Sequence, residues 1–194
     1  MKGWRRCGML MCLLYAAGCN IFETRDTEPP TQSGSDFRPP TVPDIVISNL
    51  QSAISQKNTT NYISCFADPT RSTHAYRFTP SAGANAQYPG VFAAWSYVDE
   101  QSYFQNLVAR GSPNGYANLL MTQKSSVVSA DSIVYTYDYT FTFDHTESGF
   151  PIAAQGNLQF SLAADNGSWT IYAWSDYKTT NDVTWSSFKG KFSN

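Results

Sequence analysis

The sequence predicts an α+β domain in which N-terminal helices pack on a curved antiparallel sheet. Apolar residues in the first half of the domain return every three or four positions, whereas those from Asp131 to Asp144 alternate with polar ones. Near the C-terminus an Asp-Asn-Gly turn joins two further apolar runs. Helical periodicity followed by two-residue periodicity means that helices and strands are segregated along the chain.

The first residues are not part of that domain. A basic start (Lys2, Arg5, Arg6), an apolar run from Met9 to Ala17 and small residues before Cys19 make up the tripartite plan of a signal peptide, residues 1–18. The run is far shorter than the roughly 20 residues of a transmembrane helix. Ala16-Ala17-Gly18-Cys19 resembles the lipobox of bacterial lipoproteins, with Ala16 where Leu is usual. The resemblance implies cleavage before Cys19 and an acyl and diacylglycerol anchor on that cysteine, so the expected first partner is a membrane. Asn20 follows where Asp would favour inner-membrane retention, which makes the outer membrane the expected address.

From Cys19 to Pro40 the chain carries Pro29, Pro30, Pro39 and Pro40 among Thr, Ser and charged residues, and reads as a flexible linker. Residues 41–194 are expected to form one domain, a length of about 150 residues that suffices for a single core. Cys7 and Cys12 leave with the signal and Cys19 is lipidated, so Cys65 has no internal disulfide partner and reads as a small buried apolar residue. A net charge of −2 and a pI near 5.6 exclude a nucleic-acid binder of the usual basic kind.

Within the domain, Thr41, Pro43 and Asp44 suit a helix start, with Thr41 as its cap. Val46, Ile47, Leu50, Ala53 and Ile54 then give the amphipathic spacing. Tyr62, Ile63 and Phe66 suggest a short second helix ending before Pro69, and a third runs from Ser96 to about Arg110, burying Tyr103, Phe104, Leu107 and Val108. Asp99 and Glu100 sit at its start, where acidic groups suit the helix dipole. Tyr116 to Ser129 is the expected first strand. In the second, Ile133, Tyr135, Tyr137, Tyr139, Phe141 and Phe143 share one face, opposite Asp138 and its polar neighbours. Leu158, Phe160 and Leu162 mark a third strand, which Asp165-Asn166-Gly167 turns into Trp169 to Tyr177. Thr184 to Phe192 forms a short closing helix.

Helices first and a curved antiparallel meander afterwards is the order of the cystatin-like, nuclear-transport-factor-2-like cone. Asn49-Leu50, Ala53-Ile54, Asn61-Tyr62 and Cys65-Phe66 resemble the first helices of bacterial lipoproteins with that domain; so do Trp169, Ile171, Trp174, Asp176, Thr184-Trp185, Lys189 and Phe192 at the end. The resemblance implies a fold with a pocket, and brings no reaction with it.

No phosphate-cradling glycine loop, nucleophile-elbow serine, zinc-protease helix or paired-cysteine zinc site occurs. His74 and His145 lie far apart and read as solvated, so neither a metal nor another cofactor is expected. The isomerases that the fold resembles use an aspartate and a tyrosine or protonated acid; if the aromatic face lines the cone, Asp138 points to solvent and supplies neither. The aromatic face itself offers Tyr135, Tyr137 and Tyr139, with Tyr103 and Trp174, as a pocket for a small apolar or aromatic ligand. The expected function is a non-catalytic envelope protein that binds a small ligand or another protein. The alternatives are an isomerase-like or cyclase-like enzyme using a pocket carboxylate and tyrosine, and a homodimer joined through its sheets.

Overall fold

The computed structural model describes residues 36–193. The signal peptide, the lipidation site at Cys19 and most of the linker lie outside them. No helix among the described residues is long and apolar enough to cross a membrane.

Among the described residues, five helices and five strands follow one another as α1 (Pro43–Ser55), α2 (Thr59–Ile63), β1 (Arg77–Thr79), α3 (Ala82–Gln87), α4 (Tyr97–Ala109), β2 (Ala117–Val128), β3 (Ser132–Phe143), β4 (Ala153–Asp165), β5 (Ser168–Tyr177) and α5 (Trp185–Phe192). The strands form one sheet in the order β1-β5-β4-β3-β2, antiparallel except for the short β1, which pairs parallel with β5. Along β3 every second residue from Ile133 to Phe143 is buried, which is the alternation read from the sequence. Register shifts between Gln123 and Ser125 on β2, and between Ser161 and Leu162 on β4, add a residue on one strand and bend the sheet. The β4–β5 turn places Asn166 and Gly167 at φ 52° and 81°, as a tight hairpin turn of that composition requires.

The helices cover the concave face. Val46, Ile47, Leu50, Ala53 and Ile54 of α1 are buried, and α1 packs on β2 and β5. The helix begins at Pro43 with an extended Val42 before it and no side-chain cap. The expected Thr41 cap is therefore absent, and Asp44 instead accepts a hydrogen bond from Tyr135 across the cone. The second helix is Thr59–Ile63, earlier than Tyr62 to Phe66 suggested, because Asn58 caps it by accepting from Asn61 N. Phe66 leaves the helix to bridge Ile171 of β5. Ser96 and Asp99 form a capping box at the start of α4.

Residues just before 41 also pack on the domain. Asn49 exchanges two hydrogen bonds with the backbone of Arg38, and Trp169 N donates to Pro40 O. Phe37 packs against the core. The end of the proline-rich segment, from Phe37 to Pro40, is thus strapped onto the domain.

Candidate functional site

The centre of the cone is charged. Glu100 stands on α4 in step with Tyr103, Phe104 and Leu107, at the spacings i+3, i+4 and i+7 that bring side chains to one helix face. It is 0% exposed. Its Oε1 accepts from Tyr62 Oη at 2.7 Å, and its Oε2 accepts from Tyr76 Oη at 2.7 Å and Trp95 Nε1 at 2.9 Å. Both oxygens also receive Lys189 Nζ. Lys189, likewise 0% exposed, lies on the inward face of α5 between Trp185 and Phe192. Burial drives the Lys189 ammonium down to about 8 against the opposing pull of Glu100. Burial first, and Glu100 second, hold the hydroxyls of Tyr62, Tyr76 and Tyr103 well above the ordinary tyrosine value. They remain donors at neutral pH, and the carboxylate has a donor at every side. A base must reach the proton it removes, and Glu100 lines neither of two open clefts found among the described residues.

A second polar knot ties down the start of α5. Asp176 of β5 is 1% exposed. Its Oδ1 accepts from Tyr139 Oη at 2.8 Å, and its Oδ2 accepts from Ser186 N at 2.7 Å and from Ser186 Oγ. A carboxylate on the first free amides of a helix is favoured by the helix dipole as well as by the hydrogen bonds. Tyr139 Oη in turn accepts from Trp185 N at 2.7 Å. Gly156 of β4 stands opposite Tyr139, and a Cβ there would lie 2.8 Å from the Tyr139 hydroxyl; the bare glycine makes room for this bridge. Asp176 also lines an open cleft of about 700 Å³ between β1, α3 and the end of β5, with Ser81, Asn85, Phe92 and Lys178.

A smaller cleft of about 300 Å³ lies at the β4–β5 turn, among Asp68, Arg71, Ser72, Tyr97 and Asp165. Hydrogen bonds from Ser72 and Thr73 hold the Asp165 carboxyl at about 2. His74 Nδ1 is 3.5 Å from the same carboxylate. Among the described residues no group of three or more His, Cys, Asp and Glu is placed to hold a metal ion.

The five aromatic residues offered as a pocket do not converge on one space. Tyr103 and Trp174 face Lys189, while Tyr103 Oη accepts from Trp185 Nε1. Tyr139 is engaged with Asp176. Tyr135 and Tyr137 pack on each other near α1, and Tyr135 donates to Asp44 at 2.6 Å. None of the five lines either cleft. Asp138 lies on the outer face, paired with Lys124 at 2.9 Å and with Asn157, contacts that hold its carboxyl below the usual range. Cys65 is buried and burial pushes its thiol up.

Two readings of the sequence are corrected here. Glu100 does not serve the helix start; Asp99 does so, and Glu100 turns inward. His145 is buried among Phe150, Phe188 and Phe192, with Nε2 3.1 Å from Pro151 O. It continues the odd-numbered inward series of β3 past the strand's end, where a bridge to Gly111 extends the pairing.

No protein-family profile matches the chain, and no curated protein matches it in sequence. Solved structures do match it in shape. A dehydratase candidate of the nuclear-transport-factor-2-like family from Streptomyces avermitilis superposes with a TM-score of 0.53 at 8% identity, over 71% of this chain and 94% of its own. A ketosteroid isomerase-like protein from Erwinia carotovora atroseptica gives 0.51 at 15%, over 71% and 94%. A nuclear-transport-factor-2-like superfamily protein from Salmonella enterica gives 0.51 at 13%, over 70% and 89%. The fold is that of the nuclear-transport-factor-2-like cone, as the order of helices and strands implied.

Proposed function

We propose that this chain is a lipid-anchored envelope protein that acts without catalysis, presenting the outer surface of a closed cone to another protein. The observation that carries the reading is the buried Glu100–Lys189 pair: the space in which the resemblance would place a ligand is filled by α5. Cys19 supplies the anchor, and the proline-rich linker that follows it supplies the tether. An open contact surface is offered by β2, an edge strand carrying exposed Leu120, Val127 and Val128. The outer membrane remains the address that Asn20 favours.

In the native host, radiolabelled palmitate should enter the wild-type chain and not Cys19→Ala. A photo-reactive residue at Leu120 or Val127 should give one discrete cross-linked band; a band at twice the chain's mass would make the partner a second copy. A saturable quench of tryptophan emission by a steroid or naphthol probe would overturn the closed cone, since Trp95, Trp174 and Trp185 line its centre.

A second reading rests on Asp176, whose carboxylate adjoins the Tyr139 hydroxyl and lines the larger cleft. Such a pair suits proton transfer next to a carbonyl, and the similar structures include proteins described as ketosteroid isomerase-like and dehydratase. Deuterium exchange into a small ketone, lost in Asp176→Asn, would favour this reading over the first.

A further inference from the structure

The charge at the centre of the cone sits in more than an ion pair. Lys189 Nζ lies 3.8 Å from the ring centroid of Trp174, 4.3 Å from Phe78, 5.1 Å from Tyr103 and 5.4 Å from Trp95. Glu100 closes the remaining side with both oxygens. Four aromatic rings and a carboxylate around one cation form the chemistry by which proteins hold free amines and methylated ammonium groups.

The walls stand without the lysine. Trp174 also packs against Phe66, Phe160 and Trp185, while Phe78 and Trp95 both pack against Phe92. Glu100 is fixed independently by Tyr62, Tyr76 and Trp95. Only the cation comes from α5, the last element of the chain. The geometry points to an alkylammonium-binding site at the centre of the cone, occupied in cis by the side chain of Lys189.

The ligand class follows from the occupant. It is a primary ammonium on an unbranched chain of about four carbons, the group a lysine side chain presents. A quaternary ammonium has no N–H to give Glu100, and a neutral alcohol leaves that carboxylate uncompensated. Phe92, which backs Phe78 and Trp95, also lines the 700 Å³ cleft, so a single layer of side chains separates the cage from the open surface. The site requires neither the lipid anchor nor a protein partner.

The test uses the mature chain carrying Cys19→Ser, with and without Lys189→Ala. The probes are n-butylammonium chloride, tetramethylammonium chloride and 1-butanol. Lys189→Ala should melt below its parent, and n-butylammonium at a hundredfold excess over its Kd should raise Tm by roughly 5–10 °C with a saturable change in tryptophan emission. Tetramethylammonium and 1-butanol should not do so. The parent and Lys189→Met, whose cages are filled, should respond to none of the three, and Glu100→Gln/Lys189→Ala should lose the response to n-butylammonium. If Lys189→Ala is unfolded alone, n-butylammonium should restore the folded emission spectrum. An equal response to 1-butanol would reduce the site to an apolar cavity and overturn the inference. So would the absence of any response, whether the variant is folded or stays unfolded.

Discussion

Glu100→Gln isolates the energetics of the cone. The carboxylate meets Tyr62, Tyr76, Trp95 and Lys189. An amide of the same shape keeps one acceptor oxygen and turns two N–H donors toward the others. The tyrosine hydroxyls can rotate to accept, but the Trp95 N–H and the Lys189 ammonium cannot. Removing one partner of a buried pair in this way costs about 3–5 kcal/mol. The charge part has a ceiling set by the lysine itself, which can shed its proton. From an ordinary value of 10.5 that release costs about 5 kcal/mol at pH 7, and only about 2 kcal/mol at pH 9. Urea unfolding of the mature chain carrying Cys19→Ser should therefore show a deficit of about 3–5 kcal/mol at pH 7 that shrinks by pH 9. In a domain of this size the loss corresponds to roughly 6–20 °C in Tm. A deficit below about 1 kcal/mol, or one that does not change with pH, would refute the buried-pair argument.

Three further outcomes follow from α5 and the residues packed around it. Folded Lys189 releases its proton near 8 and the unfolded lysine near 10.5, so the unfolded chain binds more protons between these values and stability rises with pH across that window, by about 3 kcal/mol at most. Above pH 10 the trend reverses, because Tyr62, Tyr76, Tyr103 and Tyr139 keep their protons in the fold after the unfolded chain has lost them. Tm measured from pH 7 to 11 should turn over near pH 10, and Lys189→Met should remove the rise while keeping the fall. Asp176→Asn should cost about 1–3 kcal/mol in urea unfolding, since it removes a charged acceptor from Ser186 and Tyr139 at the start of α5. Gly190→Ala places a Cβ 2.3 Å from the Tyr88 ring. It should destabilise by about 1–3 kcal/mol despite the better helix propensity of alanine, and Tyr88→Ala in the same chain should recover part of the loss.

The scaffold was legible because it rests on local pattern. β3 alternates as its residues do, α4 starts at the Ser96 that precedes its apolar stripe, and the β4–β5 hairpin turns where Asn166-Gly167 allows a positive φ. What escaped notice has no local signature. β1 is three residues long and is held by Ala173 to Ser175 on a strand some hundred positions away, and α3 spans six residues with a single buried alanine. The centre of the cone was missed for another reason. Glu100 and Lys189 are single charges on otherwise apolar helix faces, each in step with aromatic residues three or four positions away. Read one helix at a time, each suggests a solvated or capping residue. Read together, two opposite charges misplaced on two inward faces are the signal, because each makes the burial of the other tolerable. Asp176 was hidden in the same way, as an acid at the end of a strand whose helix partner follows ten residues later.

A buried pair of this kind contributes little net stability compared with a well-packed apolar replacement, so its role lies in where it puts α5. An α-helix that slips by one residue turns its side chains by about 100°. Such a slip would bring Phe188 or Gly190 to Glu100, leaving Lys189 without its carboxylate and Glu100 without an opposite charge inside an aromatic core. The apolar residues of α5 alone discriminate weakly between these placements, since Trp185, Phe188 and Phe192 can each fill a similar volume. The carboxylate accepts only one of them. Glu100→Gln/Lys189→Met should then unfold at about the parental urea concentration, yet exchange the amide hydrogens of Trp185 to Phe192 faster than the parent does. Equal protection of α5 in both chains would show that packing alone positions the helix, and that the ion pair does not specify its register.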